Sequence, residues 1–350
     1  MDVGFKSAGV DVVWANDFDK NACDTYAANH SSIIRFGDIR SYLKELSSMG
    51  PLQIVFGGPP CQGFSVAGKM DPSDPRSSLL WEFIKVVEIT KPNVFVCENV
   101  KGLGTLEKWE NVRKKFVNLA YNAGYDCSFI ILNSKDYGVP QSRERVFFIG
   151  SRSAPLGNLE LRFKKYKTIS KSLRELLQPL GRAGSKRNSR ICNAKITLAT
   201  NPILRRSPYS GMLFNGLGRP MRLDGVSATL PASMGGNKTP IIDEDELYNG
   251  KKSWVEAYHS KLIKKQYRPK FRLAPKRLRR ITIDEALRIQ TFPEDYLFKG
   301  SNSSIYRQIG NAVPCELAKA VAKVAIDLLD HKEIAQPLYC FDEQQSIMTI

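Results

Sequence analysis

The first 150 residues alternate between short apolar runs and segments with helical periodicity. Apolar runs at 11–15, 33–36, 52–56, 94–97, 127–132 and 145–149 indicate strands, and residues 77–90 and 109–123 have the apolar spacing of helices. Strands that alternate with helices predict an α/β fold with a parallel, doubly wound sheet. Ligands of such sheets bind beyond the carboxyl ends of the strands.

Polar side chains come at the ends of four of these predicted strands: Asp17, Asp38, Cys61 and Glu98. An acid at one strand end is commonly there for solubility. Four polar groups at one edge of a sheet are better explained by a binding site, so we expect them to converge.

Cys61 lies at the tip of a loop rich in glycine and proline, Gly57-Gly-Pro-Pro-Cys-Gln-Gly-Phe-Ser65. Glycine permits unusual backbone angles, whereas proline fixes φ and removes amide donors. Such a loop holds its thiol in a set direction, as working sites require. The alternative is a tight turn that carries a small apolar residue.

The charge is strongly basic, with a net charge of +17 over 350 residues. Residues 261–280 contain ten basic residues and no acidic one, and residues 152–190 contain eleven against Glu160 and Glu175. A solvated basic face is the simplest explanation, but acids usually intersperse such a face. The pattern favours a polyanionic partner, with nucleic acid ahead of a membrane.

Seven cysteines without a CxxC pair indicate a reducing compartment, and three scattered histidines argue against a histidine-rich metal site. No apolar run has transmembrane length, and no secretory signal opens the sequence. We therefore expect a cytoplasmic protein.

The regular alternation ends near residue 150 and returns near residue 279. We predict a domain at 1–150, a smaller, irregular, basic domain at 151–278, a return to the first domain at 279–330 and a tail at 331–350. Thr282 and Glu285 have the spacing of a capping box. The apolar stripe of a helix over 315–330 suits packing on the first sheet.

Several motifs in order resemble those of the DNA cytosine-5 methyltransferase family, in particular the bacterial restriction-modification enzymes. They are the Cys61 loop, Glu98-Asn-Val100, Gln141-Ser-Arg-Glu-Arg145, the Arg280 to Pro293 segment and Gly310-Asn-Ala-Val-Pro314. The resemblance implies a Rossmann-like, S-adenosylmethionine-dependent methyltransferase sheet, with 151–278 as its target-recognition domain. The family opens with a strand and a glycine loop, whereas Met1 to Gly9 resembles the helix after that loop. We therefore expect the first strand to be missing.

The resemblance also implies catalytic roles. Cys61 would attack carbon 6 of a flipped-out cytosine, and Glu98 would donate to ring N3 if burial raises its pKa. Arg143 and Arg145, two residues apart, would face the same way; one would hold the base or the glutamate, and the other a phosphate.

The cofactor implied is S-adenosylmethionine, without a metal. Asp17 would accept from its ribose hydroxyls, Phe18 would stack on adenine and Asp38 would accept from the adenine amino group. The remaining residues expected at this pocket are Ile39, Pro59 and Asn311.

The partner implied is double-stranded DNA. Gln62 and Ser65 would close over it, and Thr229-Leu230 resembles the Thr-Leu element of family recognition domains. A restriction endonuclease acting on the same site, a monomeric state and association with the nucleoid are further expectations.

Two alternatives remain from the sequence. One is a catalytically impaired DNA-binding relative that lacks the cofactor glycine loop, and the other is an RNA cytosine-5 methyltransferase. A cysteine protease is disfavoured, because nothing singles out His30, His259 or His331 as a partner for Cys61.

Overall fold

The computed structural model describes residues 1–60 and 78–331. Its first half contains α1 (Asp2–Ser7), β1 (Ala15–Asp17), α2 (Lys20–Asn29), β2 (Ile34–Phe36), α3 (Leu43–Ser47), β3 (Ile54–Gly57), α4 (Leu79–Thr90), β4 (Val94–Val100), α5 (Lys101–Thr105), α6 (Glu110–Asn122), β5 (Asp126–Asn133), β6 (Gln141–Ser142) and β7 (Glu144–Ser151). The second half adds α7 (Leu159–Lys164), α8 (Leu173–Leu177), β8 (Leu198–Ile203), β9 (Met212–Phe214), β10 (Ser227–Ala228), β11 (Ile241–Asp243), α9 (Glu244–Tyr248), α10 (Trp254–Ile263), β12 (Leu278–Arg280), α11 (Ile283–Ile289), α12 (Asn302–Asn311) and α13 (Cys315–Leu329).

The main sheet has the strand order β3-β4-β7-β5. β3 and β4 are parallel, but β7 is antiparallel to both β4 and β5. The α/β prediction is confirmed, whereas the prediction of an all-parallel sheet is wrong at β7. Residues 134–143, which join β5 to β7, are too few for the helical crossover that parallel neighbours need.

β1 and β2 form a parallel pair of their own in the described part of the chain. The predicted buried strand at 11–15 is wrong: β1 begins at Ala15, and Val13 is exposed.

Helices cover both faces of the main sheet. On one face α13 buries its apolar stripe against Val96, Phe147 and Ile149, which confirms the predicted packing. α1 lies so close to α13 that a Cβ on Gly4 would be 2.5 Å from the Cβ of Ala318. On the other face, α4 and α6 pack against Phe95 and Phe148.

The second half has short elements and two further cores. Residues 173–180, 221–247 and 281–309 share one core, and a second lies among β8, β9, α10 and β12. The predicted capping box of Thr282 and Glu285 begins α11. In the ranges that the structure describes, no helix is long and apolar enough to cross a membrane.

Candidate active site

Glu98 lies within β4, whereas the sequence placed it beyond the strand's end. β4 continues to Val100 because this stretch pairs with β7, where Val100 is opposite Arg145. The register places Glu98 and Arg145 diagonally across the two strands. Arg145 Nε lies 2.9 Å from Glu98 Oε1, and the two side chains are only 15% and 12% exposed. A charge-assisted hydrogen bond of this kind fixes the direction of both groups.

The segment that leads into Cys61 lies against this pair. A Cβ on Gly58 would be 3.0 Å from Glu98 Oε2. The buried Asn99 donates to the carbonyl of Pro59 at 3.4 Å and accepts from Val100 N at 2.9 Å. Asn99 therefore holds the chain at Pro59, a role that the sequence did not reveal although the residue stands in the Glu-Asn-Val motif.

Cys61, Gln62 and Ser65 lie outside the described residues. Their predicted roles stay predictions.

Arg143 has different partners from Arg145. Its side chain is 2% exposed, and its guanidinium donates to the carbonyls of Leu230 (3.3 Å), Gly310 (2.9 Å) and Asn311 (3.5 Å). The two arginines thus have no partner in common. Arg143, between β6 and β7, contacts the chain at Leu230 and at the end of α12, whereas Arg145 contacts Glu98. Arg145 contacts the glutamate, as one of the two arginines was expected to do, whereas Arg143 is bound to backbone carbonyls and its expected phosphate contact stays a prediction.

The Thr-Leu element is joined directly to the Gln141 motif. β10 pairs with β6, Thr229 Oγ1 donates to the Ser142 carbonyl at 2.9 Å, and Leu230 N donates to Gln141 Oε1 at 2.9 Å. Thr229 is exposed, but Leu230 is completely buried. The expectation that Leu230 contacts DNA is therefore wrong for its side chain, which packs in the protein core.

Two buried glutamines, Gln141 and Gln290, are hydrogen-bonded to each other next to Arg143 and Leu230. Gln141 Nε2 donates to Gln290 Oε1 at 2.9 Å, and Gln290 Nε2 donates to the carbonyls of Ile309 at 2.5 Å and Ala312 at 3.2 Å. The amide orientations are those that satisfy these bonds. We call Gln141, Arg143, Leu230 and Gln290 the junction. Sequence analysis missed its glutamines, although each stands in a motif of the resemblance.

Four of the six cofactor residues expected from the sequence, Asp17, Phe18, Asp38 and Ile39, lie at or just after the ends of β1 and β2. Asp17 ends β1 opposite Phe36, and the following Phe18 is 79% exposed. Asn16 Nδ2 holds the turn after β2 by donating to the carbonyls of Arg35 and Gly37, both at 2.9 Å. Exposed aromatic rings beside a carboxylate are the groups that an adenosine needs, so these residues fit S-adenosylmethionine. Phe36 was not among the expected residues, although it ends the apolar run at 33–36.

Asp38 caps the turn that begins at Ile39 and is bound by Arg40. Arg40 N and Nε each lie 2.9 Å from Asp38 Oδ1, and Nη2 lies 2.6 Å from Oδ2. These hydrogen bonds lower the pKa of Asp38 to about 2. An adenine amino group would have to share oxygens that Arg40 already uses.

α12 is tied to this region from the other side. Arg307 forms an ion pair with Asp19 at 2.7 Å, and Asp19 caps α2 directly after Asp17 and Phe18. Asn311, exposed at the end of α12, is held through its carbonyl by Arg143. The Arg307–Asp19 ion pair thus joins α12 to the segment after β1. The contact of Arg143 with Asn311 joins the other end of α12 to the chain that leads into β7.

The sequence profile of the family described as C-5 cytosine-specific DNA methylase matches residues 1–327. The chain belongs to this family. The fold, family and enzyme class predicted from the motifs are thereby confirmed.

Relatives of this DNA methylase cover nearly the whole chain. It is 32% identical over 340 residues to the Type II methyltransferase M.FnuDI of Fusobacterium nucleatum, covering 95% of this chain and 93% of the relative. It is 31% identical to M.MthTI of Methanothermobacter thermautotrophicus, covering 92% of each.

Solved structures share the fold. The Entamoeba histolytica methyltransferase EhMeth matches with a TM-score of 0.66 at 18% identity, covering 94% of this chain and 96% of that one. The S. pombe Dnmt2 methyltransferase matches with a TM-score of 0.63 at 19% identity, covering 94% of each.

Proposed function

We propose that this cytosine-5 DNA methyltransferase works through a covalent bond between Cys61 and carbon 6 of the target cytosine. The observation that carries the proposal is the Glu98–Arg145 pair, packed against Gly58 in the loop that leads to Cys61. Attack on carbon 6 needs a thiolate nucleophile, and it needs an acid held in position near the ring nitrogen that gains the displaced electrons. S-adenosylmethionine, when bound, supplies the methyl group.

Cys61, Glu98 and Arg145 each have a separate role in the reaction of the cytosine ring. The Cys61 thiolate forms the bond to carbon 6, and the displaced electrons move toward ring N3. There Glu98, in its protonated form, would donate a proton from one oxygen while the other oxygen accepts from Arg145. Arg145 holds Glu98 in place and faces the carbonyl oxygen of the base. After carbon 5 gains its methyl group, the N3 proton returns to Glu98 and a water molecule takes the carbon 5 proton. The electrons left at carbon 5 then form the double bond to carbon 6 and expel the thiolate.

The target base must leave the duplex to reach these groups. The Glu98 and Arg145 side chains are mostly buried, so a cytosine stacked within DNA could not touch them. Gln62 and Ser65, near Cys61 in the sequence, would contact the DNA around the extruded base. Thr229 is exposed and joined to Ser142, so it suits contact with the adjacent backbone.

Arg143 acts in this proposal as a positioning residue. Its guanidinium is committed to carbonyl oxygens, and the chain continues from it through Glu144 to Arg145. It would thereby set the position of the strand that carries Arg145.

The cofactor would lie against the ends of β1 and β2. The residues proposed to hold it are Asp17, Phe18, Asp38, Ile39, Pro59 and Asn311. The exposed ring of Phe18 supports the adenine subsite, and the carboxylate of Asp17 the ribose subsite.

The relatives are named Type II methyltransferases, which supports a role in restriction-modification. We propose that the protein acts as a monomer in the cytoplasm, on DNA of the nucleoid. It would protect sites that a companion restriction endonuclease cleaves, without direct contact between the two proteins.

The test uses labelled S-adenosylmethionine with duplex DNA, and with RNA of the same sequence. We expect transfer to DNA by the wild type and by Cys192→Ser, and none by Cys61→Ser or Glu98→Gln. Duplex DNA with 5-fluorocytosine should trap an adduct on Cys61, because a fluorine at carbon 5 prevents the final proton loss. An adduct through another cysteine would refute the assignment, and transfer to RNA alone would refute the DNA substrate.

A further inference from the structure

The helix that follows Asp17 and Phe18 has a polar stripe directed at the protein. Asn21, Thr25 and Asn29 of α2 are spaced four residues apart, so their side chains lie on one face of the helix. A surface helix ordinarily turns an apolar stripe toward the protein. Here Thr25 is only 4% exposed and the two asparagines are half-buried. We call these three residues the α2 stripe.

The α2 stripe is hydrogen-bonded to residues 297–300, the irregular segment before α12. Asn29 Nδ2 donates to the Leu297 carbonyl at 2.7 Å, and Leu297 N donates to Asn29 Oδ1 at 2.8 Å. Two residues further along the segment, Lys299 N donates to Thr25 Oγ1 at 2.9 Å. The stripe therefore supplies partners for backbone groups that have no strand or helix of their own.

Residues 297–300 are held from the other side by α12. Gln308 Nε2 donates to the Lys299 carbonyl at 2.9 Å. At Gly300 the chain approaches α2 so closely that a Cβ there would be 2.9 Å from Asn21 Oδ1. Hydrogen bonds restrict direction as well as distance. The segment thus fixes the position of α2 relative to α12 more strictly than an apolar contact would.

The start of α2 passes this position on to Asp17. Asp19 caps the helix by accepting from Asn21 N at 2.9 Å, and its own backbone N donates to Asp17 Oδ1 at 2.8 Å. Arg307 of α12 pairs with the same Asp19 at 2.7 Å. The direction of the Asp17 carboxylate therefore depends on where α2 begins.

We infer that the α2 stripe, together with residues 297–300, positions Asp17 and Phe18 for S-adenosylmethionine. The inference rests on the proposed function, since it concerns the cofactor site proposed there. The stripe acts through α2, so its members are positioning residues. If α2 is released, the site is correctly formed for only part of the time, and the apparent affinity for the cofactor falls by that fraction. Methyl transfer through Cys61 and Glu98 should be unaffected once the cofactor saturates.

The test removes hydrogen bonds of the stripe one residue at a time. Thr25→Val removes the acceptor of Lys299 N and keeps the branched shape, whereas Thr25→Ser keeps the hydroxyl. Asn29→Ala removes both bonds to Leu297. Ala28→Ser is the control in the same helix, because Ala28 is exposed. The dissociation constant of S-adenosylmethionine is measured by calorimetry, kcat at saturating cofactor by methyl transfer to duplex DNA, and folding by the thermal midpoint.

We expect Thr25→Val and Asn29→Ala to raise the dissociation constant of S-adenosylmethionine about three- to tenfold, as the loss of one or two hydrogen bonds of ordinary strength would do. Thr25→Ser and Ala28→Ser should stay within about twofold of the wild type. All four variants should keep the wild-type kcat at saturating cofactor. A merely structural role would instead lower the thermal midpoint and the amount of active protein, and the folded molecules would keep their affinity.

A wild-type dissociation constant in both Thr25→Val and Asn29→Ala would overturn the inference. An equal loss of affinity in Ala28→Ser would also overturn it, since the stability of the helix alone would then explain the effect. A wild type that binds no S-adenosylmethionine would overturn the proposed function together with the inference. Binding by the wild type with unchanged affinity in the stripe variants would overturn the inference alone.

Discussion

Replacing Gln141 with leucine removes a polar side chain that is completely buried in the junction. The change deprives Leu230 N of its acceptor and Gln290 Oε1 of its donor. A buried polar group left without a partner costs about 1–3 kcal/mol, so we expect the variant to lose about 2–6 kcal/mol of stability. Since domains are stable by about 5–15 kcal/mol, this loss would be large.

A double-mutant cycle isolates the glutamine pair. Gln290→Leu orphans Gln141 Nε2 and removes the donor of two backbone carbonyls. In the double variant the Gln141–Gln290 bond is lost only once. The combined cost should therefore fall short of the sum of the single costs by about 1–2 kcal/mol, as expected for residues in direct contact.

The free energies of unfolding are measured by urea denaturation followed by circular dichroism. Because the chain has several cores, unfolding can occur in more than one step, so the variants are compared at the first unfolding transition. Gln178→Leu is the matched control: Gln178 is exposed, so the change should stay within about 0.5 kcal/mol. A cost of Gln141→Leu as small as the control's, or strict additivity in the cycle, would refute the reasoning.

Three further predictions concern the candidate site. Gly58→Ala places a Cβ 3.0 Å from Glu98 Oε2, so the carboxylate must shift. We expect kcat for methyl transfer to fall about tenfold, which corresponds to ~1.4 kcal/mol on the activation barrier. An unchanged kcat would contradict the importance of this contact. Arg40 lowers the pKa of Asp38 from an ordinary 3.8 to about 2, so the pair stabilises the fold above pH 4 and that contribution is lost as the pH falls through 2. Arg40→Gln should return the pKa of Asp38 toward 3.8 in an NMR titration, and a value that stays near 2 would disprove the cause. Phe18→Ala should weaken S-adenosylmethionine binding by about tenfold in calorimetry if the ring stacks on adenine, and equal affinity would argue against that role.

Local sequence patterns determined much of the fold. The alternation of strands and helices, the stripe of α13 and the capping box at Thr282 each depend on spacings within one segment, where side-chain periodicity and hydrogen bonding are local. The order of the motifs likewise identified the family and pointed to Cys61 and Glu98, because motif order and residue type can be read along the chain without knowledge of its fold.

Only the tertiary structure decided how the segments meet. The antiparallel placement of β7 put Arg145 beside Glu98, and the junction buried Leu230 and bound the Arg143 guanidinium to backbone carbonyls. Gln141 and Gln290 are 149 residues apart, and no local pattern marks such a contact. Whether a side chain is exposed, and which group it bonds to, depends on which distant segments pack around it. That packing is a property of the whole folded chain and cannot be read from one segment.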